Sequence, residues 1–438
     1  MVILLYLQHL IIVVVASSLA ISGVGGHKLM VFLLDGVRWD YLDRDSANLP
    51  GFKRIRERGV KSESLVPEFP SVSYPNHYSL MTGLHCESHG FVDNDMYDAD
   101  TEKYYPPTSG KEEDKSFWFE EGEPVWITAT KEGKSSYMYN WVGGDVEIHG
   151  KRPDYFRPYS PVKKLKYFRR DIDQGLESLV NGTADLVGIY HEGIDDMGHR
   201  YGPDSTEVYD WLKNVDAELD RLLTKMTDLG VENDINIMIF SDHGMTDVSL
   251  TRVINITSLL PMDKIDAVIN GYGSRISIWP KEESRREIYK LLKNYDRHMT
   301  VYLKEDIPSR WYYTNNSRIA PLLLVADLGW YIDTPGFGFY EYDTGIMKGE
   351  HGFDPELKDM HGMFLAMGPN FVENYESESI RNIDLYQMMC KILDIEALPN
   401  NGTWFNVEHF FLSSGNTCTI SLTTILLGLA TLLSIYNY

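Results

Sequence analysis

The stretch KLMVFLLDG, residues 28–36, is a run of apolar residues that ends in an aspartate and a glycine. Two further runs have the same form, ADLVGIYHEG at residues 184–193 and INIMIFSDHG at residues 235–244. None of the three alternates apolar with polar residues, which is typical of strands buried on both faces in a parallel sheet. These runs therefore predict the centre of a parallel β-sheet.

Helical patterns separate the predicted strands. Between Glu207 and Thr227 apolar side chains recur at helical spacing on one face, namely Val208, Trp211, Leu212, Val215, Leu219, Leu222 and Leu223. Strands that alternate with helices are typical of an α/β domain with a parallel sheet. We therefore predict an α/β fold in which helices flank a central, mostly parallel sheet.

Each predicted strand ends beside an acidic residue or a histidine. Asp35 ends the first run, and Asp195 follows the second. The third run leads directly into Asp242 and His243. Because ligands of open α/β sheets bind outside the carboxyl ends of the strands, we expect these side chains to form one site.

Two more histidines extend this set to six candidate metal ligands. His199 stands four residues after Asp195, so a helix or turn could direct both at one ion, and His351 lies in EHGFDP. Three aspartates and three histidines suit two Zn²⁺ sites. Two metal ions about 4 Å apart can bind the attacking and the leaving oxygen of a phosphoryl displacement. A lone aspartate or histidine is more often a cap or a surface group, so the prediction rests on the combination.

Residues 68–83 read EFPSVSYPNHYSLMTG and contain the candidate nucleophile, Ser73. The absence of a G-x-S-x-G motif around Ser73 argues against a serine-hydrolase triad. A serine hydroxyl without a basic partner is a poor nucleophile, but coordination to a metal ion activates it, so we expect Ser73 to bind zinc. Asn94, in FVDNDMYD, is suited to donate a hydrogen bond to a phosphoryl oxygen, although alone it would indicate only a turn.

The composition is that of a globular protein, with 438 residues, 43% hydrophobic residues and a formal net charge of −23. Such an acidic chain lacks the basic surface that nucleic-acid binding requires, so we expect no nucleic-acid partner. We predict one catalytic domain over residues 27–405. Within it we interpret residues 246–348 as an insertion or cap, with a strand at SRISIWP and a helix near Ser284 to Asn294.

Both ends of the chain indicate the secretory pathway. An apolar run followed by small residues predicts a signal peptide over residues 1–22, with a membrane anchor as the alternative. The C-terminal sequence SSGNTCTISLTTILLGLATLLSIYNY predicts GPI attachment at Ser414 and a propeptide over residues 415–438, with a plain tail anchor as the alternative. The expected location is the extracellular face of the plasma membrane.

Sequons and cysteines fit this route. Four N-x-S/T sequons are present, at Asn181, Asn255, Asn315 and Asn401. Cys418 lies in the predicted propeptide, so at most one disulfide is available, between Cys86 and Cys390, and the sequence leaves its formation open. The number of subunits also stays open, with a homodimer as one alternative.

Six motifs, taken in order, resemble the ectonucleotide pyrophosphatase/phosphodiesterase family of the alkaline phosphatase superfamily: VFLLDG, SYPNHYSLMTG, ESHGFVDNDMYD, YHEGIDDMGHRYGP, FSDHGMTD and EHGFDPELKDMHGMFLAMGP. The resemblance spans residues 28–370 and implies an alkaline-phosphatase-like fold with two zinc ions per subunit. It implies one zinc ion held by Asp195, His199 and His351. It implies a second held by Asp35, Asp242 and His243, with Ser73 as the nucleophile beside it and Asn94 at the phosphoryl group.

Several segments are most similar to the choline-specific glycerophosphodiesterase member of that family. They are FPSVSYPN, which has serine where most members have threonine, TGLHCE, YMYNWVGGDVEI and IPSRWYY. This similarity implies zinc-dependent hydrolysis of glycerophosphocholine, lysophosphatidylcholine and sphingosylphosphorylcholine. The reaction would release phosphocholine through a covalent ester of Ser73, as in a phospholipase C.

A choline pocket would need aromatic faces and nearby negative charge. Tyr190 is the first candidate, and Tyr155 and Phe156 follow it. The resemblance thus implies substrate contacts from Asp35, Ser73, Asn94, Tyr155, Tyr190, Asp195 and His351. Two alternatives stay open: a nucleotide pyrophosphatase/phosphodiesterase on the same scaffold, which needs an aromatic slot for a base, and a non-catalytic cell-surface adhesion protein.

Overall fold

A computed structural model describes residues 28–412, except 45–47, 108–111, 162–163, 271, 336–340 and 344. The predicted signal peptide, the propeptide and Ser414 lie outside the described residues. In the part of the chain that is described, none of the helices has both the length and the apolar character needed to cross a membrane.

Short strands and helices follow one another along the chain. The strands are β1 (Lys28–Leu34), β2 (Gly59–Ser62), β3 (Leu65–Val66), β4 (Met96–Asp98), β5 (Lys103–Tyr105), β6 (Ser136–Tyr139), β7 (Tyr155–Arg157), β8 (Leu186–His191), β9 (Ile235–Phe240), β10 (Thr246–Asp247), β11 (Val253–Asn255), β12 (Ile265–Ile269), β13 (Tyr272–Gly273), β14 (Arg275–Pro280), β15 (Met299–Leu303), β16 (Leu322–Ala326), β17 (Tyr331–Asp333), β18 (Glu341–Tyr342), β19 (Gly345–Ile346), β20 (Gly349–Glu350), β21 (Phe364–Met367), β22 (Tyr375–Ser377) and β23 (Ile380–Arg381). The α-helices are α1 (Tyr41–Arg44), α2 (Pro50–Glu57), α3 (Ser73–Thr82), α4 (Cys86–His89), α5 (Glu112–Phe119), α6 (Val125–Lys131), α7 (Leu165–Val180), α8 (Gly193–Tyr201), α9 (Thr206–Leu229), α10 (Arg285–Leu292) and α11 (Leu385–Leu393).

The main sheet has β1 near its centre. Its strands follow the order β22, β2, β21, β9, β1, β8, β6 and β7. The five strands from β9 to β7 run parallel to one another, and β21 pairs antiparallel with β9. This arrangement confirms the predicted α/β fold with a mostly parallel central sheet flanked by helices.

Alternate residues of β1 pack into two different cores. Leu29, Val31 and Leu33 belong to the core on one face of the sheet. Met30, Phe32 and Leu34 belong to the core on the other face, together with apolar residues of α7 and α9. Because the strand is buried on both faces, it has no need of polar residues at every second position.

Residues 253–333 contain a second, smaller sheet. Its strands β12, β14, β16 and β15 are antiparallel and follow that order. Side chains of β14 and β16 pack with Ile288 and Leu292 of α10 in a separate hydrophobic core. Strand β14 and helix α10 lie where the sequence predicted a strand and a helix. The limits of a cap at residues 246–348 stay a prediction.

The two described cysteines are free, so the disulfide that the sequence left open is not formed. Cys86 and Cys390 are both buried in the main hydrophobic core. Burial raises the pKa of both thiols, that of Cys390 to about 12. Each sulfur therefore behaves as an apolar packing group rather than as a thiolate.

The four sequon asparagines are all exposed, at Asn181, Asn255, Asn315 and Asn401. Asn181 directly follows α7, and Asn315 lies beside Glu87, to which its amide donates a hydrogen bond of 3.1 Å. Exposure is the condition that glycan attachment requires, and glycosylation itself stays a prediction.

Candidate active site

Three neighbouring strands bring the predicted ligands to one edge of the main sheet. Asp35 follows β1, which lies between β8 and β9. Asp195 lies in the first turn of α8, just after β8, and Asp242 and His243 follow β9. Because parallel strands end on the same side, the acids converge there.

The first ligand set consists of Asp35, Asp242 and His243. His243 Nε2 lies 3.4 Å from Asp35 Oδ1 and 3.5 Å from Asp242 Oδ2. His243 Nδ1 is 2.9 Å from the carbonyl oxygen of Gly244, so it donates there and Nε2 is left as the metal-binding nitrogen. All three side chains are at most 2% exposed. The set is therefore held in a fixed orientation by the ends of β1 and β9.

The second ligand set consists of Asp195, His199 and His351. His199 Nε2 lies 3.4 Å from Asp195 Oδ2 and 3.2 Å from His351 Nε2. The other ring nitrogens are bound to backbone, with His199 Nδ1 2.8 Å from the Gly349 carbonyl oxygen and His351 Nδ1 3.0 Å from that of Ser71. Both Nε2 atoms therefore face the same point, as the ligands of one metal ion do.

The two sets are in direct contact. The ring of His243 stacks on the ring of His351 with centroids 3.6 Å apart. Ligand atoms of Asp195, His243 and His351 all lie within 4.8 Å of one another. This proximity is the arrangement that a two-metal phosphoryl-transfer site requires.

Two buried carboxylate oxygens without hydrogen-bond partners, and the shifted pKa values of Asp35 and His351, show that these residues fit metal ions. Asp35 Oδ1 and Asp195 Oδ1 are buried without a hydrogen-bond partner. Burial, followed by the charges of Asp242 and Asp195, raises the pKa of Asp35 well above its usual value. Burial also lowers the pKa of His351, which keeps its imidazole in the neutral, metal-binding form. Divalent cations would neutralise the carboxylates and bind the free oxygens.

Ser73 lies beside the first ligand set. It is the first residue of α3, and its Oγ is 3.4 Å from His243 Nε2. The N-terminus of a helix carries partial positive charge, which favours an anionic oxygen or a phosphoryl group at this position. Ser73 Oγ is thus next to a histidine of the first ligand set, and its role as the nucleophile stays a prediction.

Asn94 is positioned to donate a hydrogen bond. Its side-chain oxygen accepts the backbone N–H of Tyr74 at 2.8 Å, which fixes the amide orientation. The amide nitrogen therefore remains as a donor, and Asn94 lines a cavity that also contains His199 and His351. The contact to a phosphoryl oxygen stays a prediction.

His77 is a site residue that the sequence reasoning missed. It lies one turn after Ser73 on α3, and its Nε2 is 2.8 Å from Asp242 Oδ2 and 3.8 Å from Asp35 Oδ2. Although burial opposes it, the charge of His243 and the hydrogen bond from His77 lower the pKa of Asp242 to about 2. The i, i+4 spacing of Ser73 and His77 was the signal that could have identified it.

Glu350 was also missed. Its Oε1 accepts the backbone N–H of His351 at 2.8 Å, and it joins His199 and His351 in a group of close ligand atoms. Burial raises its pKa above the usual value for a glutamate. Its position directly before a predicted ligand was the available sequence signal.

The two tyrosines predicted for choline lie in different parts of the main sheet, and their role in binding choline stays a prediction. Tyr190 is only 3% exposed, and its hydroxyl donates to Asp35 Oδ2, so it orients a ligand instead of presenting an open ring face. Tyr155 lies on β7, the outermost strand, and packs on Tyr137 and Tyr139. β7 is three strands from β1, about 14 Å at the usual strand spacing.

Tyr159 and Tyr74 are two aromatic residues close to the acids of the site, since the charges of Glu192 and Asp35 act on both. Tyr159 donates a hydrogen bond of 2.8 Å to Glu192 Oε2, and Tyr74 directly follows Ser73. Burial and the charge of Glu192 raise the pKa of both hydroxyls, and Tyr74 itself contributes to the shift of Tyr159. Both rings are half-buried. Tyr159 lies four residues after Tyr155, and Tyr74 lies one residue after Ser73. The sequence analysis placed no pocket at either position.

The α/β sheet and the paired ligand sets at its edge define a metal-dependent hydrolase of the alkaline phosphatase superfamily. Residues 29–354 match the family described as type I phosphodiesterase/nucleotide pyrophosphatase. The chain belongs to the ectonucleotide pyrophosphatase/phosphodiesterase family, and is thus an enzyme that acts on phosphodiester bonds. This family is of the metal-dependent type and typically uses two zinc ions.

Curated relatives share most of the chain. Human ectonucleotide pyrophosphatase/phosphodiesterase family member 5 is 36% identical over 388 residues, which are 88% of this chain and 78% of that protein. The bis(5′-adenosyl)-triphosphatase of Xenopus laevis is 38% identical over 382 residues, 87% of this chain and 81% of its own length.

Solved structures agree with the fold. Human ectonucleotide pyrophosphatase/phosphodiesterase 5 is 35% identical, with a TM-score of 0.80, and the match covers 88% of this chain and 100% of that one. An inactive variant of the murine protein, in complex with AMP, has a TM-score of 0.79, 35% identity and the same coverage.

Proposed function

We propose that this protein is a zinc-dependent nucleotide pyrophosphatase/phosphodiesterase. The observation that carries the proposal is the contact between the two ligand sets, with Ser73 Oγ 3.4 Å from a histidine of one of them. The relatives support nucleotides as the substrate class, since one is named a bis(5′-adenosyl)-triphosphatase and another was solved with AMP. Choline specificity, expected from the motifs, has no support from these relatives.

The rings of Tyr74 and Tyr159 supply the slot that a nucleotide base needs. Flat bases stack on aromatic side chains, and this interaction depends little on the identity of the base. Because Tyr74 follows Ser73 in the chain, a base against its ring would place the attached 5′-phosphate close to Ser73 Oγ. The hydrogen bond from Tyr159 to Glu192 fixes the second ring in place.

The reaction follows from the positions of three groups. Zinc ions bound by the two sets would lower the pKa of a coordinated hydroxyl and neutralise charge on the phosphoryl oxygens. Ser73 Oγ attacks phosphorus in line, a nucleotidyl ester of Ser73 forms, and the leaving group departs on the side opposite Ser73. The amide of Asn94 stabilises the charge that develops on a phosphoryl oxygen. Water then attacks the ester and releases the nucleoside monophosphate, which restores Ser73.

The experiment compares two chromogenic esters, p-nitrophenyl thymidine monophosphate and p-nitrophenyl phosphorylcholine, with the zinc-loaded chain. We expect hydrolysis of the thymidine ester at least about 10-fold faster, and loss of that hydrolysis with a chelator. Faster hydrolysis of the choline ester would restore the choline phosphodiesterase interpretation. No hydrolysis of either ester would contradict an enzymatic role and favour the adhesion alternative.

We also propose that the mature protein is glycosylated and held at the extracellular face of the plasma membrane by a GPI anchor. The exposed positions of the four sequon asparagines support the secretory route. Phosphatidylinositol-specific phospholipase C should release the protein from intact cells. Retention at the surface after that treatment would favour the plain tail anchor.

A further inference from the structure

The second sheet contributes a buried arginine to the candidate active site. Arg275 is the first residue of β14, which lies between β12 and β16. Its side chain is only 7% exposed and lines the cavity that also contains Asn94 and His351. Residues 253–333 therefore reach the site, although they include none of the six predicted metal ligands.

Each nitrogen of the Arg275 guanidinium has a partner within the protein. Nε donates to Asp93 Oδ2 at 2.9 Å, and Nη2 donates to Asp93 Oδ1. Nη1 is 3.3 Å from Ser274 Oγ. Asp93 is 3% exposed, so the ion pair is buried at both ends, and its two parallel hydrogen bonds hold it in one geometry. The guanidinium is thus directed at protein groups and not at a substrate.

Asp93 connects Arg275 to the residue that is predicted to contact the phosphoryl group. Asp93 Oδ1, which accepts from Arg275, also accepts the backbone N–H of Asn94 at 2.7 Å. The side-chain oxygen of Asn94 accepts the backbone N–H of Tyr74 at 2.8 Å. Asn94 is therefore fixed at two points, its backbone through Asp93 and its amide through the residue that follows Ser73.

The same end of β14 contacts the segment that carries a metal ligand. Ser274 Oγ donates to the carbonyl oxygen of His351 at 2.6 Å. Gly352, the next residue, has a φ of +91°, and a Cβ there would lie 2.4 Å from Arg275 Nη1. Only glycine leaves room for this close approach, so the guanidinium packs directly against the backbone beside His351.

We infer that Arg275 is a positioning residue for phosphoryl transfer, which acts through Asp93 to hold Asn94 in the direction of the phosphoryl oxygen. The inference rests on the proposed function, because the role of Asn94 requires a phosphoryl group at this site. An amide stabilises the developing charge best when its direction is fixed before the reaction. Lysine cannot replace the arginine, because it cannot form two parallel hydrogen bonds with one carboxylate. The second sheet thereby raises the rate without supplying a metal ligand.

A double-mutant cycle with p-nitrophenyl thymidine monophosphate tests this inference. Asn94→Ala should lower kcat by about 100-fold. Arg275→Lys keeps the buried charge but loses the paired hydrogen bonds, so it should lower kcat by about 10-fold in the unchanged chain. In the Asn94→Ala background the same substitution should cost less than about 2-fold, because its effect passes through Asn94. An equal loss in both backgrounds, or no loss in the unchanged chain, would overturn the inference.

The matched control is Arg318→Lys. Arg318 is also buried, at 3% exposure, and donates to the carbonyl oxygen of Gly90 at 3.0 Å, but its ion pairs are with Asp98 and Glu121. Its kcat should stay within about 2-fold of that of the unchanged chain, even where thermal stability falls. If Arg318→Lys lowers kcat as much as Arg275→Lys does, both losses come from destabilisation, and the inference fails.

Hydrogen–deuterium exchange separates this inference from the proposed function, because it needs no turnover. In the zinc-loaded chain, Arg275→Lys should speed amide exchange in a peptide that spans residues 91–96 by about 10-fold, and Arg318→Lys should not. If the nitrophenyl ester is not hydrolysed, the proposed function fails, and faster exchange would still show that Arg275 holds the segment around Asn94. Unchanged exchange in Arg275→Lys would overturn the inference whether or not the ester is hydrolysed.

Discussion

The edge of the main sheet and the loops that face the substrate differ in how they are built. At the sheet edge, Asp35, Asp242 and His243 are almost fully buried and fixed by neighbouring strands. Outside the main sheet, Tyr104 on the short strand β5 is 50% exposed, and Asp95 and Tyr159 lie on loops before β4 and after β7. The difference teaches that the sheet determines the chemistry of the reaction, whereas the loops determine which substrate undergoes it. Substitutions in the two regions should therefore differ in both size and kind.

The largest effect is expected at Ser73. Ser73→Ala removes the attacking oxygen, so kcat should fall by about 10⁴-fold or more while thermal stability and zinc content stay close to those of the unchanged chain. Steady-state rates give kcat, thermal unfolding gives the stability, and metal analysis gives the zinc content.

The matched control for that substitution is Ser71→Ala. Ser71 Oγ donates to the Phe353 carbonyl, and the contact of Ser71 with His351 is made by its backbone carbonyl, which alanine keeps, so the loss of the hydroxyl should cost less than about 10-fold in kcat. Normal turnover by Ser73→Ala would show that another group is the nucleophile.

A large effect is also expected at Asp242. Asp242→Asn removes a negatively charged ligand, so the zinc content should fall from two ions to about one per chain and kcat by about 10³-fold. Metal analysis after gel filtration gives the content. Asp196→Asn is the control, because it removes the same charge next to Asp195 from a carboxylate that forms an ion pair with Arg200. Two zinc ions retained in Asp242→Asn would refute its assignment as a ligand.

His77 should have an intermediate effect, because it acts through Asp242. His77→Ala removes the hydrogen bond to Asp242 Oδ2, and the loss of such a partner typically lowers metal affinity by about 10- to 100-fold. Zinc affinity is measured by competition with a chromogenic chelator. An unchanged affinity together with lower kcat would show that His77 contacts substrate and does not position the ligand.

The sheet and the ligand sets could be predicted from the sequence because buried parallel strands leave a simple signal. The runs that became β1, β8 and β9 are continuously apolar, and each leads to an acid. Parallel strands end together, so the convergence of Asp35 and Asp242 followed from topology alone. The spacing of His199 to Asp195 indicated a shared ion, and the resemblance to a family then grouped both with His351, which follows β20.

The substrate-facing residues could not be predicted in the same way. A tyrosine in a loop has no periodicity that fixes its direction, and the chain contains 28 tyrosines. Tyr190 was expected to face choline, but its place at the end of β8 turns its hydroxyl to Asp35. His77 and Glu350 were missed because each contacts a ligand set through the folded structure and carries no motif of its own.

The smallest effect, and the sharpest test of the comparison, is expected at Tyr159. Tyr159→Ala removes one face of the proposed base slot, and loss of one stacking contact of about 1–3 kcal/mol should lower kcat/KM for a nucleotide ester by about 10-fold. Tyr159→Phe keeps the ring and should retain most of that value. Tyr155→Ala, four residues earlier on the outermost strand, should leave it unchanged, because its ring packs only on Tyr137 and Tyr139 in the described contacts. If Tyr155→Ala lowers kcat/KM and Tyr159→Ala does not, the slot lies on the edge strand, and the sheet contributes to specificity as well as to chemistry.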